Sequence, residues 1–554
     1  MEILSVKNLS FSYNGAEKPA ITNAEFSVNS GEICLLMGKS GCGKTTLLKL
    51  LKREISPCGE KKGEIYIFNE RISTLSNVSS ACEIGFVMQN PDEQAVMDNF
   101  FSELCFGLEN MGISPDEISR RVGETVNFFG IENLCTRQIS TLSGGQKQLC
   151  NLCAVMVMNP KILILDEPTA TLDPVSAENF IRTLLRLNRE LGTTIIIAEH
   201  NSEEIFPYAD KVLLMENGEI ISDLNPYETV KEFGKLEKWA SFFPCAAQIY
   251  SVAEGKKQSP TLTIRAAKTF LEDNFTKDFS ENNKVFTDKE VILSAENLSL
   301  RYDRDLPDIL KDMDIELFKG EFFTIVGSNG VGKTTMIKVL SGLLHFYKGK
   351  IKVDGKKIQS YKNGSLYKNM IAVLPQNPYD LFIKETALED FQYVLKAISN
   401  ENDDIITKIS SQLGISHLLN MHPYDLSGGE AQRCAIARIL LCEPKIIMLD
   451  EPVKGLDNEG VREVGCLLKD LQKRGITLLC VTHNLEFAAE YSDRCAMYFD
   501  GRIIGTDTPE KFFGENNFYT TSASRISRNV FKNCVTISDL KSRILRQGGK
   551  NEQE

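Results

Sequence analysis

The chain has 554 residues, too many for one hydrophobic core, so two to four domains are expected. Its 42% hydrophobic and 25% charged residues are ordinary for a soluble globular protein. A net charge of -12 argues against a general nucleic-acid-binding protein, although a local basic patch is still compatible with it. No window of eighteen apolar residues occurs, so the chain is not expected to span a bilayer alone.

The fifteen cysteines lie mostly within apolar runs, and strand-like sequence begins at Met1 without a signal peptide. A reducing cytosol is therefore the expected compartment. Cys150 and Cys153 form the one C-x-x-C pair, and no second pair follows at zinc-finger spacing. This pair is predicted to lie in a core helix rather than at a metal site.

The first predicted elements are β-strands at residues 2–11, 25–28 and 63–68, with a buried strand at Ile33–Met37. After that strand, the GxxxxGK[ST] pattern of a phosphate-binding loop is met by Gly38, Lys39, Ser40, Gly41, Cys42, Gly43, Lys44 and Thr45. The glycines let backbone N–H groups surround an anion, Lys44 reaches the outer phosphates, and the Thr45 hydroxyl can ligate Mg²⁺. The predicted ligand is a nucleoside triphosphate with magnesium.

A helical insertion is predicted at residues 99–139, and Leu142-Ser143-Gly144-Gly145-Gln146 then precedes a long helix. Serine is a favoured N-cap and the glycines leave backbone N–H groups open, so this is a second anion-binding helix terminus. Because the phosphate loop already holds one triphosphate, this terminus would face a different nucleotide, as a head-to-tail pair of domains would allow. In isolation, the pentapeptide would indicate only a capping turn.

A buried strand at residues 162–165 ends in Asp166 and Glu167, and another is predicted at Thr194–Ala198. Parallel α/β sheets bind ligands at such strand ends. Asp166 would hold Mg²⁺, directly or through water, and Glu167 would orient and deprotonate the attacking water.

The sequence then repeats itself. Residues 3–13 recur as 292–302, and Lys44 recurs as Lys333, 289 positions later. After an apolar strand at Phe322–Val326, the second phosphate loop comprises Gly327, Ser328, Asn329, Gly330, Val331, Gly332, Lys333 and Thr334. The other repeated features are a helical insertion at residues 386–422, the segment Ser427, Gly428 and Gly429, and the carboxylates Asp450 and Glu451. Each copy is expected to be an α/β domain with a mostly parallel core sheet, an antiparallel β subdomain and a helical insertion.

The two copies are assigned to residues 1–230 and 290–514. Residues 231–289 between them are predicted to be helical at first, with the single tryptophan Trp239, and then linker-like because they are charged and poor in aliphatics. Residues 515–554 are polar and somewhat basic, and a solvated or loosely docked tail is expected there.

Together, the phosphate loops, the Leu-Ser-Gly-Gly segments, the Leu-Asp-Glu-Pro segments and the histidines His200 and His483 resemble the ATPase subunits of ABC proteins. The resemblance implies that Gln89 and Gln376 sense the γ-phosphate and help to hold the metal. It implies an adenine-stacking role for Tyr13 and Tyr302, with a core position as the alternative.

The resemblance implies the following sets of site residues. The catalytic residues are Glu167 and His200 in the first copy and Glu451 and His483 in the second. The metal ligands are Thr45, Gln89 and Asp166 in the first copy and Thr334, Gln376 and Asp450 in the second. Thr46 and Thr335 join the ATP-binding residues. Ser427, Gly428 and Gly429 would complete the first site, and Ser143, Gly144 and Gly145 the second. Leu149, where the second copy has Arg433, departs from the family pattern and puts the equivalence of the halves in doubt.

The segment from Gln89 to Gln94 and the sequence Phe106-Gly107-Leu108-Glu109-Asn110 resemble the ATPase of energy-coupling-factor (ECF) importers of vitamins and metal ions. This implies a peripheral ATPase at the cytoplasmic face of the cell membrane, with a membrane scaffold subunit, a substrate-binding membrane subunit and no nucleic acid. Candidate residues for the scaffold's groove are Phe100, Phe101, Leu104 and Phe106 in copy one and Leu381 and Phe382 in copy two, with core packing as the alternative for each. The other functions considered are the fused motor of another importer and a soluble factor acting on ribosomes or nucleic acid.

Overall fold

The computed structural model describes residues 1–200, 202–253, 259–278, 290–362, 364–399 and 402–548. The chain divides into two compact units between Ala267 and Lys268. Each unit holds one copy of the repeat.

The first unit contains a six-stranded sheet and a four-stranded sheet. Its strands are β1 (Glu2–Tyr13), β2 (Ile21–Asn29), β3 (Ile33–Met37), β4 (Gly59–Ile67), β5 (Glu70–Arg71), β6 (Ile84–Val87), β7 (Ile162–Asp166), β8 (Thr194–Ala198), β9 (Lys211–Glu216) and β10 (Glu219–Leu224). The larger sheet has the order β10-β9-β3-β8-β7-β6 and is parallel except for β10, which pairs antiparallel with β9. The smaller one, β2-β1-β4-β5, is antiparallel. This is the predicted α/β core with its β subdomain.

The helices of this unit cover both faces of the larger sheet, form the insertion and follow β10. They are α1 (Lys44–Leu50), α2 (Asn77–Glu83), α3 (Pro91–Gln94), α4 (Phe100–Asn110), α5 (Pro115–Phe129), α6 (Gly144–Met156), α7 (Pro174–Leu191), α8 (Pro226–Phe233), α9 (Glu237–Ala240) and α10 (Cys245–Val252), followed by α11 (Ile264–Asn274), which crosses the unit boundary. Successive residues of a strand face opposite sides of its sheet. Leu36 accordingly packs toward α1 and the β subdomain, whereas Leu35 packs toward α6 and α7.

The long helix α7 begins and ends at residues suited to those positions. The Asp173 side chain caps it by accepting the Ser176 N–H at 3.2 Å, Pro174 occupies the first turn, and Gly192 ends it in the left-handed conformation. Its buried face includes Phe180 and Leu184, and burying such a side chain stabilises the fold by about 1.5–3 kcal/mol each. This packing supports the sheet edge at which the carboxylates lie.

The second unit repeats this architecture. Its strands are β11 (Val291–Leu300), β12 (Leu310–Phe318), β13 (Phe322–Val326), β14 (Lys348–Val353), β15 (Lys356–Lys357), β16 (Ile371–Leu374), β17 (Ile446–Asp450), β18 (Thr477–Thr482), β19 (Arg494–Phe499) and β20 (Arg502–Asp507). Its helices are α12 (Lys333–Leu340), α13 (Ser365–Asn369), α14 (Ala387–Ala397), α15 (Asp404–Gln412), α16 (Gly428–Leu440), α17 (Asn458–Lys473), α18 (Leu485–Tyr491), α19 (Pro509–Glu515), α20 (Ser522–Ser527) and α21 (Ile537–Gly548). The sheet orders are β16-β17-β18-β13-β19-β20 and β12-β11-β14-β15, so the strand order of the first unit is preserved.

The helical insertions form as predicted, through α4 and α5 in the first unit and α14 and α15 in the second. Two of the groove candidates are nevertheless wrong: Phe100 and Leu104 are fully buried and pack against α5 and α6. Phe101 is exposed, and Phe106 is half-buried. An amphipathic helix has one apolar face, and here α5 and α6 cover most of it.

The expectation of a loosely docked C-terminal tail is also wrong for its described part, residues 515–548. Helices α20 and α21 bury Phe531 and Leu540, and the Thr521 hydroxyl donates to the Val535 carbonyl at 2.7 Å. Thr536 caps α21 in the same way as Thr263 caps α11. The polar composition of this segment did not indicate that it packs, because its few apolar residues are spread along and between the short helices α20 and α21.

The predicted linker, residues 231–289, is likewise divided between the units. Trp239 and Phe242 are buried in the core of the first unit. In the second unit, the Phe275 ring lies 6.2 Å from the Phe531 ring and Asn529 donates to Glu272 at 2.6 Å. Most of the charged stretch that suggested a linker, residues 279–289, lies outside the described residues.

Within the described part of the chain, no helix has both the length and the apolar character needed to cross a membrane. Cys150 and Cys153 are buried in α6, as the core-helix prediction required.

Candidate ATP sites

The first phosphate loop joins β3 to α1, and two of its glycines are required by close packing. A Cβ on Gly38 would lie 2.3 Å from the Met215 carbonyl oxygen. Gly43 has φ 109° and its Cβ would lie 2.6 Å from the Ala20 carbonyl oxygen. Glycine is therefore needed at both positions, and the loop backbone is held in one shape.

Lys44 and Thr45 project from the start of α1 toward the end of β7. The Lys44 ammonium is buried, donates to the carbonyls of Gly38 and Lys39 at 3.0 Å each, and lies 3.6 Å from Glu167. The Thr45 hydroxyl donates to Asp166 Oδ1 at 3.1 Å. The loop and the carboxylate strand, about 120 residues apart in sequence, thus meet at one point.

Glu167 occupies a strained backbone position and lies at the centre of this group. Its φ is 45°, which is uncommon for a residue other than glycine. The carboxylate accepts from the Gln89 side chain at 2.9 Å and lies 2.7 Å from His200 Nε2. Burial raises the pKa of Glu167, but the contacts with His200 and Lys44 more than offset this, so the pKa lies below its ordinary value. Glu167 is ionised at neutral pH, as an acceptor of a proton must be.

The second unit brings Lys333, Glu451 and His483 together in the same way. Lys333 donates to the carbonyls of Gly327 and Ser328 at 2.7 and 3.0 Å and lies 3.3 Å from Glu451. Glu451 also has a positive φ, of 51°, and lies 2.9 Å from His483 Nδ1. Burial raises its pKa, whereas His483 and Lys333 lower it, to a net value of about 2.

Asp166 and Asp450 have the opposite pKa shift. Burial raises the pKa of Asp166 to about 6, against the hydrogen bond from Thr45, and it raises that of Asp450 as well. Asp450 Oδ1 is buried without a hydrogen-bond partner among the described residues. A buried carboxylate oxygen without a partner, next to a threonine hydroxyl, fits the oxygen ligands that Mg²⁺ prefers in phosphate sites.

Tyr13 and Tyr302 hold the same position in the two units. The Tyr13 hydroxyl bonds the Thr46 hydroxyl at 2.9 Å, and the Tyr302 hydroxyl bonds that of Thr335 at 3.1 Å. The side chains are 42% and 60% exposed, so the alternative of a core aromatic is wrong. Each tyrosine therefore contacts the helix that follows a phosphate loop and is partly exposed.

The Ser-Gly-Gly segments begin α6 and α16 with matching capping boxes. Ser143 Oγ accepts the Gln146 N–H at 3.4 Å while the Gln146 side chain accepts the Ser143 N–H at 3.0 Å. Ser427 and Glu430 make the same pair at 3.4 and 2.9 Å. Each serine is exposed, so these helix ends can meet an anion from solvent.

Comparison with known proteins agrees with this geometry. The family model described as ABC transporter matches residues 21–170 and 310–454, one region in each unit. The chain belongs to the ABC transporter family. It is accordingly an ATPase with two tandem ABC domains, and ABC domains of this kind bind ATP.

Relatives of this ABC ATPase match along nearly its whole length. A provisionally named ABC transporter ATP-binding protein of Bacillus anthracis is 40% identical, over 97% of each chain. A Bacillus subtilis protein with the provisional name HMP/thiamine import ATP-binding protein YkoD is 30% identical, over 93% of each chain. The solved complex of archaeal ribosomal stalk protein aP1 with the archaeal ribosome recycling factor aABCE1 has a chain with a TM-score of 0.60. That chain is 22% identical and covers 96% of this ABC ATPase and 99% of its own length, which shows a shared fold.

One pair in the first ABC domain was missed by reasoning from sequence. Glu199, buried next to His200, accepts both the N–H and the hydroxyl of Thr169. The second copy has Thr482 and Val453 at these positions. The sequence did contain a sign of this pair: Ala198-Glu199-His200 in the first copy differs from Val481-Thr482-His483 in the second.

Proposed function

We propose that this ABC ATPase is the motor subunit of an ECF-type importer, bound at the cytoplasmic face of the cell membrane to a scaffold subunit and a substrate-binding subunit. Support comes from the resemblance of the Gln89 to Gln94 segment to ECF ATPases and from the YkoD relative, whose provisional name concerns import. The transported substrate would be a vitamin, a vitamin precursor or a metal ion, selected by the membrane partner.

The observation that carries the proposal is a matched pair of exposed apolar residues. Val96 and Ile383, each seven positions after Gln89 and Gln376, are 64% and 59% exposed. A buried carboxylate fixes each backbone: Glu103 accepts the Val96 N–H at 3.0 Å, and Asp390 accepts the Ile383 N–H at 2.9 Å. Rigid, exposed apolar residues at the same place in two domains fit a partner that contacts both.

We further propose the following roles at each ATP site. Lys44 and Lys333 bind the outer phosphates, and Glu167 and Glu451 orient the attacking water and accept its proton. Asp166 and Asp450, with Thr45 and Thr334, would hold Mg²⁺, which supplies positive charge against the phosphates. Gln89 and Gln376 would complete the metal site, and His200 and His483 would hold the base carboxylates.

From the family resemblance alone, we also propose that Ser427 completes the site containing Lys44 and that Ser143 completes the site containing Lys333. Ser427→Arg should then impair nucleotide trapping at Lys44, measured by site-specific crosslinking. Impairment confined to the mutated half would contradict this pairing.

The importer proposal is tested by charging the two exposed residues together, with Val96→Asp and Ile383→Asp in one chain. The variant should leave the membrane fraction of the source cells, with scaffold affinity lowered at least about tenfold, while ATP binding is retained. Val78→Asp, on an equally exposed valine of α2, is the matched control and should stay membrane-bound.

Gentle fractionation of the unmodified protein separates the alternatives. Recovery with ribosomes, lost at high salt, would replace the importer proposal with a soluble factor. Co-purification with a membrane complex that has no separate substrate-binding membrane subunit would favour the fused motor of another importer.

A further inference from the structure

Glu199 is a buried carboxyl group whose place in the site is not accounted for by the roles above. It follows β8, directly before His200, and only 2% of it is exposed. Its N–H donates to the Leu36 carbonyl, which ties this point of the chain to the strand before the phosphate loop. Buried carboxyl groups are uncommon because removing their charge from water is costly.

The partner of Glu199 lies on the segment that follows the proposed base. Glu199 Oε1 accepts the Thr169 N–H at 3.1 Å and the Thr169 hydroxyl at 2.8 Å. Thr169 is two residues after Glu167, and the Glu167 N–H donates to the Ala198 carbonyl at 3.0 Å. The end of β8 therefore holds the Glu167–Thr169 segment at both of its ends.

The second unit is built differently at the same positions. Val453 replaces Thr169 and offers no hydroxyl, and Thr482 replaces Glu199. The Thr482 hydroxyl donates directly to Glu451 Oε2 at 2.9 Å, and the His483 N–H lies 3.2 Å from the same oxygen. One unit thus supports its base through the following segment, and the other through the base carboxylate itself.

We propose that Glu199 is a positioning residue of the first ATP site, which holds the Thr169 segment beside Glu167 and gives this site a support for its base that the second site lacks. The inference rests on the proposed role of Glu167 as base. Thr482, at the corresponding position of the second site, has no carboxyl group and does not titrate.

The surroundings of Glu199 favour its protonated form. Burial, with a smaller contribution from the charge of Glu167, raises the pKa of Glu199 to about 8, against the hydrogen bonds from Thr169 and from the His200 backbone. The titratable groups near this point include Glu167 and its partners Lys44 and His200, whose nitrogens lie 3.6 and 2.7 Å from the Glu167 carboxylate. Ionisation would place a second negative charge in the interior beside Glu167.

Ionisation of Glu199 is expected to change the turnover of the first site more than its affinity for the nucleotide. A charged Glu199 destabilises the packing that holds the Thr169 segment, because a buried charge is stabilised by reaching water. Glu167 would then lose its alignment with the attacking water. We expect kcat of the first site to fall several-fold above about pH 8, with little change in KM.

The experiment measures kcat and KM of the full chain with Mg²⁺ and ATP between about pH 6.5 and about pH 10. The unmodified protein should lose turnover above about pH 8, and Glu199→Gln, which keeps the shape and the acceptor oxygen, should not. Thr169→Val removes a hydrogen bond that favours the charged form, so the loss should move to higher pH. A purely structural role would not produce that shift.

The second unit provides the matched control. With Glu167→Gln present, turnover by the second site should show no loss near pH 8, and adding Thr482→Glu together with Val453→Thr should create one. With Glu451→Gln present, the remaining turnover belongs to the first site and should show the loss near pH 8. If single base variants silence both sites, the comparison of Glu199→Gln with the unmodified chain decides alone.

The inference is overturned if Glu199→Gln retains the full alkaline loss, or if the loss is equal at both sites. Failure of the proposed function has a different signature. It would appear as unchanged turnover when Glu167→Gln and Glu451→Gln are combined, at every pH.

Discussion

The two ATP sites of this chain share one scaffold and differ in how each base is supported. Lys44 and Lys333 have the same partners, and Glu167 and Glu451 have the same unusual backbone conformation. The difference lies in the residues next to each proposed base. Thr169 donates a hydrogen bond to Glu199 in the first site, whereas Thr482 donates one directly to Glu451 in the second. The contacts of the proposed phosphate-binding lysines are thus alike, while the contacts around the proposed bases are not.

A second difference lies on the helices that follow the Ser-Gly-Gly segments. Arg433 of α16 pairs with Glu463 of α17, whereas Leu149 of α6 packs among apolar residues. The two halves therefore differ in structure at the position where their sequences depart from each other. We therefore predict that the two sites are functionally unequal, and the following experiments test this.

The largest effect is expected from removing both bases. Glu167→Gln with Glu451→Gln should lower ATP turnover by roughly 10²- to 10⁴-fold, because the amide cannot accept the proton of the attacking water. Steady-state hydrolysis and equilibrium ATP binding measure the two quantities, and binding should be retained. The residual rates of the two single variants show how much each site contributes to turnover. Equal residual rates would contradict the proposed difference between the sites.

A smaller effect is expected on stability. Between pH about 4.5 and about 8 the folded state keeps the Glu199 proton that the unfolded state loses, so the free energy of unfolding falls as pH rises. Glu199→Gln removes this dependence and should stabilise the first unit at neutral pH by on the order of a few kcal/mol. Trp239, the single tryptophan, is buried in that unit, and its fluorescence follows the transition. A variant with the same pH slope as the parent would contradict the buried, protonated carboxyl.

The smallest effect is expected from changes at Tyr13 and Tyr302, which distinguish the contribution of the ring from that of the hydroxyl. Tyr13→Ala and Tyr302→Ala should each weaken ATP binding by about 1–3 kcal/mol through lost stacking. Tyr13→Phe and Tyr302→Phe keep the ring and should change affinity little. Calorimetric titration measures both, and phenylalanine variants as weak as the alanine ones would assign the role to the hydroxyl bonds with Thr46 and Thr335.

Local features of the fold were predictable because their causes are local. The glycine spacing of Gly38–Thr45 and the apolar run Ile33–Met37 determine a strand followed by a tight anion-binding turn. Serine with Gln146 or Glu430 three positions later predicts the capping box that forms. The duplication then extended each prediction to the second unit.

The errors concern partners that pattern alone does not identify. Phe100 and Leu104 have the spacing of an apolar helix face, but the spacing does not tell whether α5 or a membrane protein covers it. The segment after Gly514 is polar on average, yet its scattered apolar residues are enough to dock two short helices.

The two ABC domains, their phosphate loops and the residue types of the candidate ATP sites could be predicted from the sequence, since each depends on short spacing and on the backbone freedom of glycine. Which side chains meet across the strand ends depends on the packed fold. Glu199 and Thr169 are 30 positions apart, and the hydrogen bonds between them exist because β7 and β8 are neighbours in the sheet. Such contacts depend on how buried polar groups are satisfied after packing, and no periodicity in the chain records that.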